Sequence, residues 1–269
     1  MQYDPIKKDA GRIFNCCRGA RVLFYRLLNL LLLRSWHVRK EINNWAVSAP
    51  VDAAILDAGS GFGQYVWFVS KLGRRFTVKG IDLKVEELAV CNRFFGGARS
   101  GGRISFVKAD LSTFSEPDRY NLVLCIDVLE HIEDDTGVMR NLCRSLRKGG
   151  MLIISTPSDQ GGSDVHHEGD NSFIGEHVRD GYGIEEITSK LTGSGFSRVE
   201  ARFTYRKWGH LSWLLSMKYP IKMLNAGKIF FLILPLYYLF IFPFALILNF
   251  FDLYGSKGKG TGLIVKAWK

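Results

Sequence analysis

The 269-residue sequence predicts an α/β fold built on a mostly parallel sheet with crossover helices. Three observations predict it. Between residues 51 and 205 short apolar runs alternate with stretches of helical periodicity. Most of the runs stop at a turn or an acidic residue. The first run leads through a glycine-rich turn straight into a helix, the strand-turn-helix unit of nucleotide-type sites.

The elements follow in chain order. Strands are expected at 53–57, 76–82, Ile104–Lys108, Tyr120–Ile126, 151–156 and 197–205, where β-branched and aromatic residues cluster between turn signals. Helices are expected at 64–72, Val85–Phe95, 135–147 and Ile184–Gly193, the last stopped by Gly195. Neither an internal repeat nor a low-complexity tract interrupts this order.

The flanks have a different character. Residues 1–50 carry nine basic and three acidic groups, residues 51–204 eighteen and twenty-two, and residues 205–269 nine and one. The basic excess therefore lies entirely in the two apolar flanks, a pairing that suits a membrane surface. Nucleic acid is disfavoured, because no groove-reading or base-stacking module accompanies the charge. Residues 13–33 read as a helix with Arg18, Arg21 and Arg26 among large apolar residues, either a core-packing lid or an interfacial helix. Residues 229–251 hold 23 positions without a charge, long enough to span a bilayer, but Pro235 and Pro243 favour a kink or break. Five cysteines, Cys16, Cys17, Cys91, Cys125 and Cys143, form no metal spacing and point to a reducing compartment. The first residues lack the pattern of a secretory signal. His166 and His167 have no visible metal partners, so no metal is expected.

The chemistry is concentrated in residues 54–64, which place a buried strand, Asp57, then Gly59, Gly61 and Gly63, then Gln64 at a helix start. Glycines suit a turn where a ligand lies against the backbone or where positive φ is required. A carboxylate directly before the turn repels a pyrophosphate but attracts a cationic amino group, so the ligand should be an amino-acid-bearing nucleoside. Asp82 ends the second strand, where a carboxylate can accept from both ribose hydroxyls. Asp110 follows the third, where it can accept from an adenine amine. Each acid alone is also explained as a helix cap or turn residue; three at successive strand ends are harder to explain that way.

Across about residues 55–205 the sequence resembles the class I S-adenosylmethionine-dependent methyltransferases, through LDAGSGFGQ, GIDL, KADL, YNLVLCIDVLEHIEDD, LRKGGMLIISTP and EHVRDGY with Gly195-Phe196. The wording is most similar to the small-molecule branch that includes quinone-biosynthesis enzymes. The resemblance implies a seven-stranded Rossmann-like sheet, mostly parallel with an antiparallel last strand, and S-adenosyl-L-methionine as cofactor. It further implies that Asp57, Gly59, Gly61 and Gly63 flank the methionine part, Asp82 holds the ribose, and Asp110 with Leu111 borders the adenine. Gln64, Leu83 and Ile126 are counted in the same cofactor surface. An oxygen acceptor also needs a base. His131, Asp127 and His177 are the catalytic candidates, with Glu130, Glu176, His166 and His167 nearby in sequence; the alternatives for His131 and His177 are ordering a helix start and an ion pair with neighbouring acids.

Residues 260–269 alternate like a closing strand, which makes 207–258 an insert between a core at 51–206 and a last segment at 259–269, behind an N-terminal helical segment at 1–50. Both ends of the insert return to one sheet, so a single span is disfavoured. A re-entrant or in-plane hairpin broken near Pro235 and Pro243 is expected, with Lys218, Lys222 and Lys228 at anionic lipid heads. The alternative is burial in a dimer interface or lid. The expectation is methyl transfer to a hydrophobic or lipid-linked small molecule at oxygen, by a peripheral or monotopic protein on the cytoplasmic side of a membrane. A membrane-tethered enzyme for a soluble sugar or metabolite, and a non-catalytic adaptor that binds the cofactor, remain as alternatives.

Overall fold

The computed structural model describes residues 17–73, 75–96, 101–161, 178–227, 229–255 and 258–269. His166, His167, Glu176, His177, Lys228 and the first residues of the N-terminal helix lie outside them.

Seven strands form one sheet: β1 (Ala54–Ala58), β2 (Thr77–Asp82), β3 (Ile104–Lys108), β4 (Tyr120–Ile126), β5 (Leu146–Pro157), β6 (Arg198–Thr204) and β7 (Gly262–Trp268). Their spatial order is β3-β2-β1-β4-β5-β7-β6. The first five pair in parallel, and β7 lies antiparallel between β5 and β6, as the resemblance implied. β5 begins at Leu146, earlier than expected, because the pairing jumps from Tyr120–Leu146 to Leu122–Met151 and Gly149 at φ 76° absorbs the irregularity. Two apolar clusters cover the faces: Ile55, Val66 and Leu124 belong to one, and Leu56, Val123 and Leu142 to the other. Strands with both faces covered read as continuous apolar runs, which is how β4 reads. The order reverses between β1 and β4, and the crevice outside their carboxyl ends is where open α/β sheets bind ligands.

Crossover helices α3 (Gln64–Val69), α4 (Val85–Phe95), α5 (Asp135–Ser145) and α6 (Ile184–Gly193) fill the expected places. The N-terminal segment is two helices rather than one: α1 (Arg18–Leu31) and α2 (Leu33–Ser48), broken at Leu32 with φ −90° and ψ 110°. Of the two readings open for α1, packing prevails over the interface for its inner side, since Arg21, Phe24 and Tyr25 are buried.

The insert also departs from expectation. It is a helical hairpin, but it turns at Gly227 and not at the prolines. α7 (Lys207–Trp213) continues through one π-helical stretch, Leu214–Lys218, into α8 (Tyr219–Ala226), and α9 runs unbroken from Phe230 to Tyr254. Pro220 explains the π stretch, because it has no N–H to give the Ser216 carbonyl. Tyr238 Oη donates to that carbonyl at 2.9 Å and Tyr237 Oη to the Leu215 carbonyl at 2.7 Å, so α9 satisfies what the π register frees. Pro235 and Pro243 both lie on the exposed side of α9, and the helix carries through them.

Candidate functional site

The site is assembled at the carboxyl edge around the β1–β4 switch point. Asp57 lies inside β1, and its Oδ2 is buried without a hydrogen-bond partner. Burial and the neighbouring Asp82 push its carboxyl up to about 7. A buried carboxylate with an empty acceptor position is a place for a cationic donor. The turn that follows has φ of 81°, 46° and 74° at Gly59, Gly61 and Gly63. A Cβ at Gly59 would run into Val128 beyond β4, whereas one at Gly61 would meet open space. The turn thus packs on one side and leaves a cradle on the other. Ser60 Oγ is a second buried polar atom without a hydrogen-bond partner at this turn.

Asp82 is presented by two backbone donors, Gly61 N to Oδ2 at 2.9 Å and Lys84 N to Oδ1 at 3.0 Å. Both oxygens keep a second acceptor position. Asp110 is exposed beyond β3, and its Oδ1 accepts from Ser112 N at 2.9 Å and Oγ at 2.8 Å, which holds its carboxyl below the usual range. It is therefore a turn residue as well as a strand-end acid. Leu83 is exposed at the rim, while Leu111 and Ile126 are buried. Gln64 is turned away: its Nε2 donates to Asn29 Oδ1 at 2.8 Å and Ser35 Oγ at 2.6 Å, joining α3 to α1 and α2.

After β4 the chain kinks at Asp127, with φ 52°, and forms one 3-10 turn, Leu129–His131. His131 is half-buried on that turn, and its backbone N donates to the Val128 carbonyl at 3.0 Å. Glu130 points inward, where burial pushes its carboxyl up and Thr156 Oγ1 donates to it at 3.2 Å.

Five residues shape this site that the sequence does not assign to it. Arg34, from α2, is ion-paired with Asp127. Its backbone N donates at 3.1 Å to the hydroxyl of Tyr205, itself at φ 52° beyond β6. Arg34 Nε and Tyr65 Oη are both buried, and the Tyr65 hydroxyl stands beside the guanidinium. From α1, Arg21 Nη2 and Tyr25 Oη donate to the Phe62 carbonyl inside the glycine turn at 2.8 and 2.7 Å. The N-terminal helices thus clamp the turn and add a cation to the rim. No local signal marks these residues; the partners are up to 171 positions apart.

Residues 56–154 match the family described as a methyltransferase domain. Among curated relatives, a ubiquinone biosynthesis O-methyltransferase of Xanthomonas oryzae is 34% identical over 120 residues, covering 41% of this chain and 46% of the relative. That of Serratia proteamaculans is 28% identical over 107 residues, 39% of this chain and 43% of the relative. The chain thus matches less than half the length of these relatives. Among solved structures, the Haemonchus contortus phosphoethanolamine N-methyltransferase 2 in complex with S-adenosyl-L-methionine superposes with a TM-score of 0.62 at 16% identity, over 94% of this chain and 57% of that one. A [4+2]-cyclase does so with a TM-score of 0.57 at 17% identity, over 87% and 81%. At such identities the likeness is one of fold, and the cyclase marks how far chemistry diverges on it.

Proposed function

We propose that this chain, whose residues 56–154 form a methyltransferase domain of the class I S-adenosylmethionine-dependent type, transfers a methyl group to an oxygen of a hydrophobic small molecule presented at a membrane surface. The observation that carries the reading is a junction: the exposed apolar helix α9 is rooted beside the cofactor-type crevice. Asp252 in its last turn accepts from Tyr205 N at 3.2 Å, Arg206 N at 2.8 Å and Gly209 N at 3.3 Å, and Tyr205 in turn holds Arg34. A helix of about 25 residues with 17% of its apolar window buried therefore stands at the ligand edge of the sheet.

Asp57 is fitted to the methionine ammonium, since its Oδ2 is buried with no hydrogen-bond partner and the arriving cation favours the ionised carboxylate. Arg34, the cation at the same rim, is fitted to the methionine carboxylate by its charge and its planar set of donors. Asp82 offers both oxygens to the ribose hydroxyls, and Leu111 and Ile126 give the adenine an apolar border. The bound cofactor supplies a sulfonium-activated methyl group, so the protein's work is alignment and removal of the acceptor's proton. Asp127 and His131 stand directly after β4 for that removal. The hydrophobic acceptor is supported by α9, and the oxygen by the named activity of the curated relatives.

Incubating purified protein with membrane lipid extract and methyl-labelled S-adenosylmethionine tests the reading. Label should enter a solvent-extractable small molecule and be released on mild alkali only if it is an ester. Label confined to water-soluble products would overturn the hydrophobic acceptor, and absence of transfer with intact cofactor binding would favour a non-catalytic role.

A further inference from the structure

A cleft of about 440 Å3 opens where the C-terminal end of α9 meets α2 and β6. Its wall carries three cations, Lys40, Arg202 and Arg206, together with Phe203, Leu253 and Tyr254. Two of the cations have carboxylates: Arg202 Nη2 donates to Glu41 at 2.9 Å, and Arg206 stands 3.7 Å from Asp252. His37 lies between them, and burial holds its imidazole below its usual range, so it adds no charge at neutral pH. Its Nε2 donates to Asp252 at 3.0 Å while Nδ1 accepts from Arg202 at 3.2 Å. Lys40 is different. It donates to the Leu253 carbonyl at 3.2 Å and lies 4.5 Å from the Tyr254 ring, with no carboxylate in ion-pair range among the described residues. Burial and then the neighbouring Arg202 lower its ammonium's affinity for its proton, against the opposite pull of Glu41. Glu41 is itself committed to Arg202 and Lys266, at 2.9 and 3.5 Å, so Lys40 has no carboxylate of its own.

The cleft also adjoins the exposed apolar surface of α9. Tyr254 and Leu253 line it, and on the outer side of the same two helical turns Phe250 and Phe251 are half exposed. An anion seated against Lys40 and carrying an acyl chain has an aromatic ramp along α9 on which to lay that chain.

We propose that this cleft is a subsite for the phosphate headgroup of an anionic lipid. The inference rests on the membrane contact argued above, and deepens it by giving the contact a headgroup preference. Guanidinium and ammonium donors match a phosphate's several acceptor oxygens, and the apolar wall matches its glycerol backbone. A capping role for Lys40 at the Leu253 carbonyl predicts no such preference, so the two roles separate by experiment.

The test compares the full chain and two variants, Lys40→Gln and Lys222→Gln, in sedimentation with vesicles of phosphatidylcholine alone or with phosphatidylglycerol. Glutamine keeps a donor for the Leu253 carbonyl and removes the charge; Lys222 is an exposed lysine on α8 that does not line the cleft. The wild-type chain should prefer the anionic vesicles, and Lys40→Gln should lose tenfold or more of that preference while binding neutral vesicles as before. Lys222→Gln should lose no more than about fivefold, the share of any lysine near an anionic surface. Equal losses in the two variants would overturn the subsite and leave the membrane reading standing. Failure to bind either vesicle would overturn both. Protection of the fold by inorganic phosphate without any anionic-vesicle preference would reject the lipid as its source.

Discussion

The two flanks of this chain have the same composition and opposite fates. Both combine arginine or lysine with long apolar runs. In α1 and α2 one side goes inside, with Tyr25 at 0% and Phe24 at 7% exposure, and even Arg21 is 2% exposed, while Leu23, Leu30 and Val47 stay outside. In α9 the apolar residues stay outside, with Leu232 at 78% and Phe240 at 70%. The difference lies in what the charges find. Arg21 meets a backbone carbonyl of the glycine turn and the Tyr25 hydroxyl, so its burial is compensated by charge-assisted bonds. α9 offers no cation along its length and its single acid, Asp252, is spent at its root, so the remainder has only another helix or a lipid to face. Composition tells which residues avoid water, and the partner of each buried charge tells where they go.

The comparison is broken most forcefully at the root of α9. Asp252→Ala leaves Arg206 buried and three backbone N–H groups without their acceptor, at a cost of about 3–5 kcal/mol. Burial alone would raise the Asp252 carboxyl, but the bond from His37 and the charge of Arg206 hold it below the usual range, so the same stability should drain away on acidification. A denaturant midpoint for the variant within error of wild type would show that α9 is not anchored there.

Asp57 gives an effect of opposite sign. Its folded carboxyl is raised to about 7 from an ordinary 3.8, so the ligand-free fold holds a proton that the unfolded chain has released. Stability of the ligand-free protein should therefore fall between about pH 4 and pH 7, by up to about 1.4 kcal/mol per pH unit, and level off above. Asp57→Asn should flatten that slope. Affinity for S-adenosylmethionine should rise over the same range, because the ammonium selects the ionised carboxylate; calorimetric titration at pH 5.5 and 8 that returns equal affinities would remove Asp57 from the ligand shell.

The inner flank is probed more gently by Tyr25→Phe, which deletes one hydroxyl bonded to the Phe62 carbonyl at a cost of about 1 kcal/mol. If α1 positions the glycine turn, cofactor affinity should drop with stability; a stability loss with unchanged affinity would make α1 packing alone. The smallest change in stability belongs to the outer flank. Leu239→Ser with Phe240→Ser should stay within about 0.5 kcal/mol of wild type per site, since both are exposed, yet partition to neutral vesicles should fall sharply. A large loss of stability would mean that α9 packs against protein in solution.

Much of the sheet was legible because its signals are local. Gly59, Gly61 and Gly63 announce positive φ, Asp82 closes β2 with Asp57 one residue short of the end of β1, and residues 262–268 pair as the antiparallel strand between β5 and β6. The rim of the site was not. Arg34 reads as one more basic residue in a basic flank, and only the folded chain sets it against Asp127 and Tyr205. Gln64 adds a tie that no local signal marks: its amide Nε2 serves Asn29 and Ser35, from a segment that precedes the core. The prolines of α9 were read as breaks because propensity charges each about 3 kcal/mol in an isolated helix. Their exposure on one side, with hydroxyls of Tyr237 and Tyr238 tying the other side to the hairpin partner, is a tertiary fact.

The position of β7 has a consequence for how the chain is made. It fills the gap between β5 and β6, yet it follows α9 in the sequence, so during synthesis the sheet stays open at that gap until the whole hairpin has emerged. Two bare strand edges and a greasy helix are then exposed together on the ribosome, a species prone to aggregation. Early capture of the nascent hairpin by a bilayer or a chaperone would remove one of those hazards before the last strand arrives to remove the other.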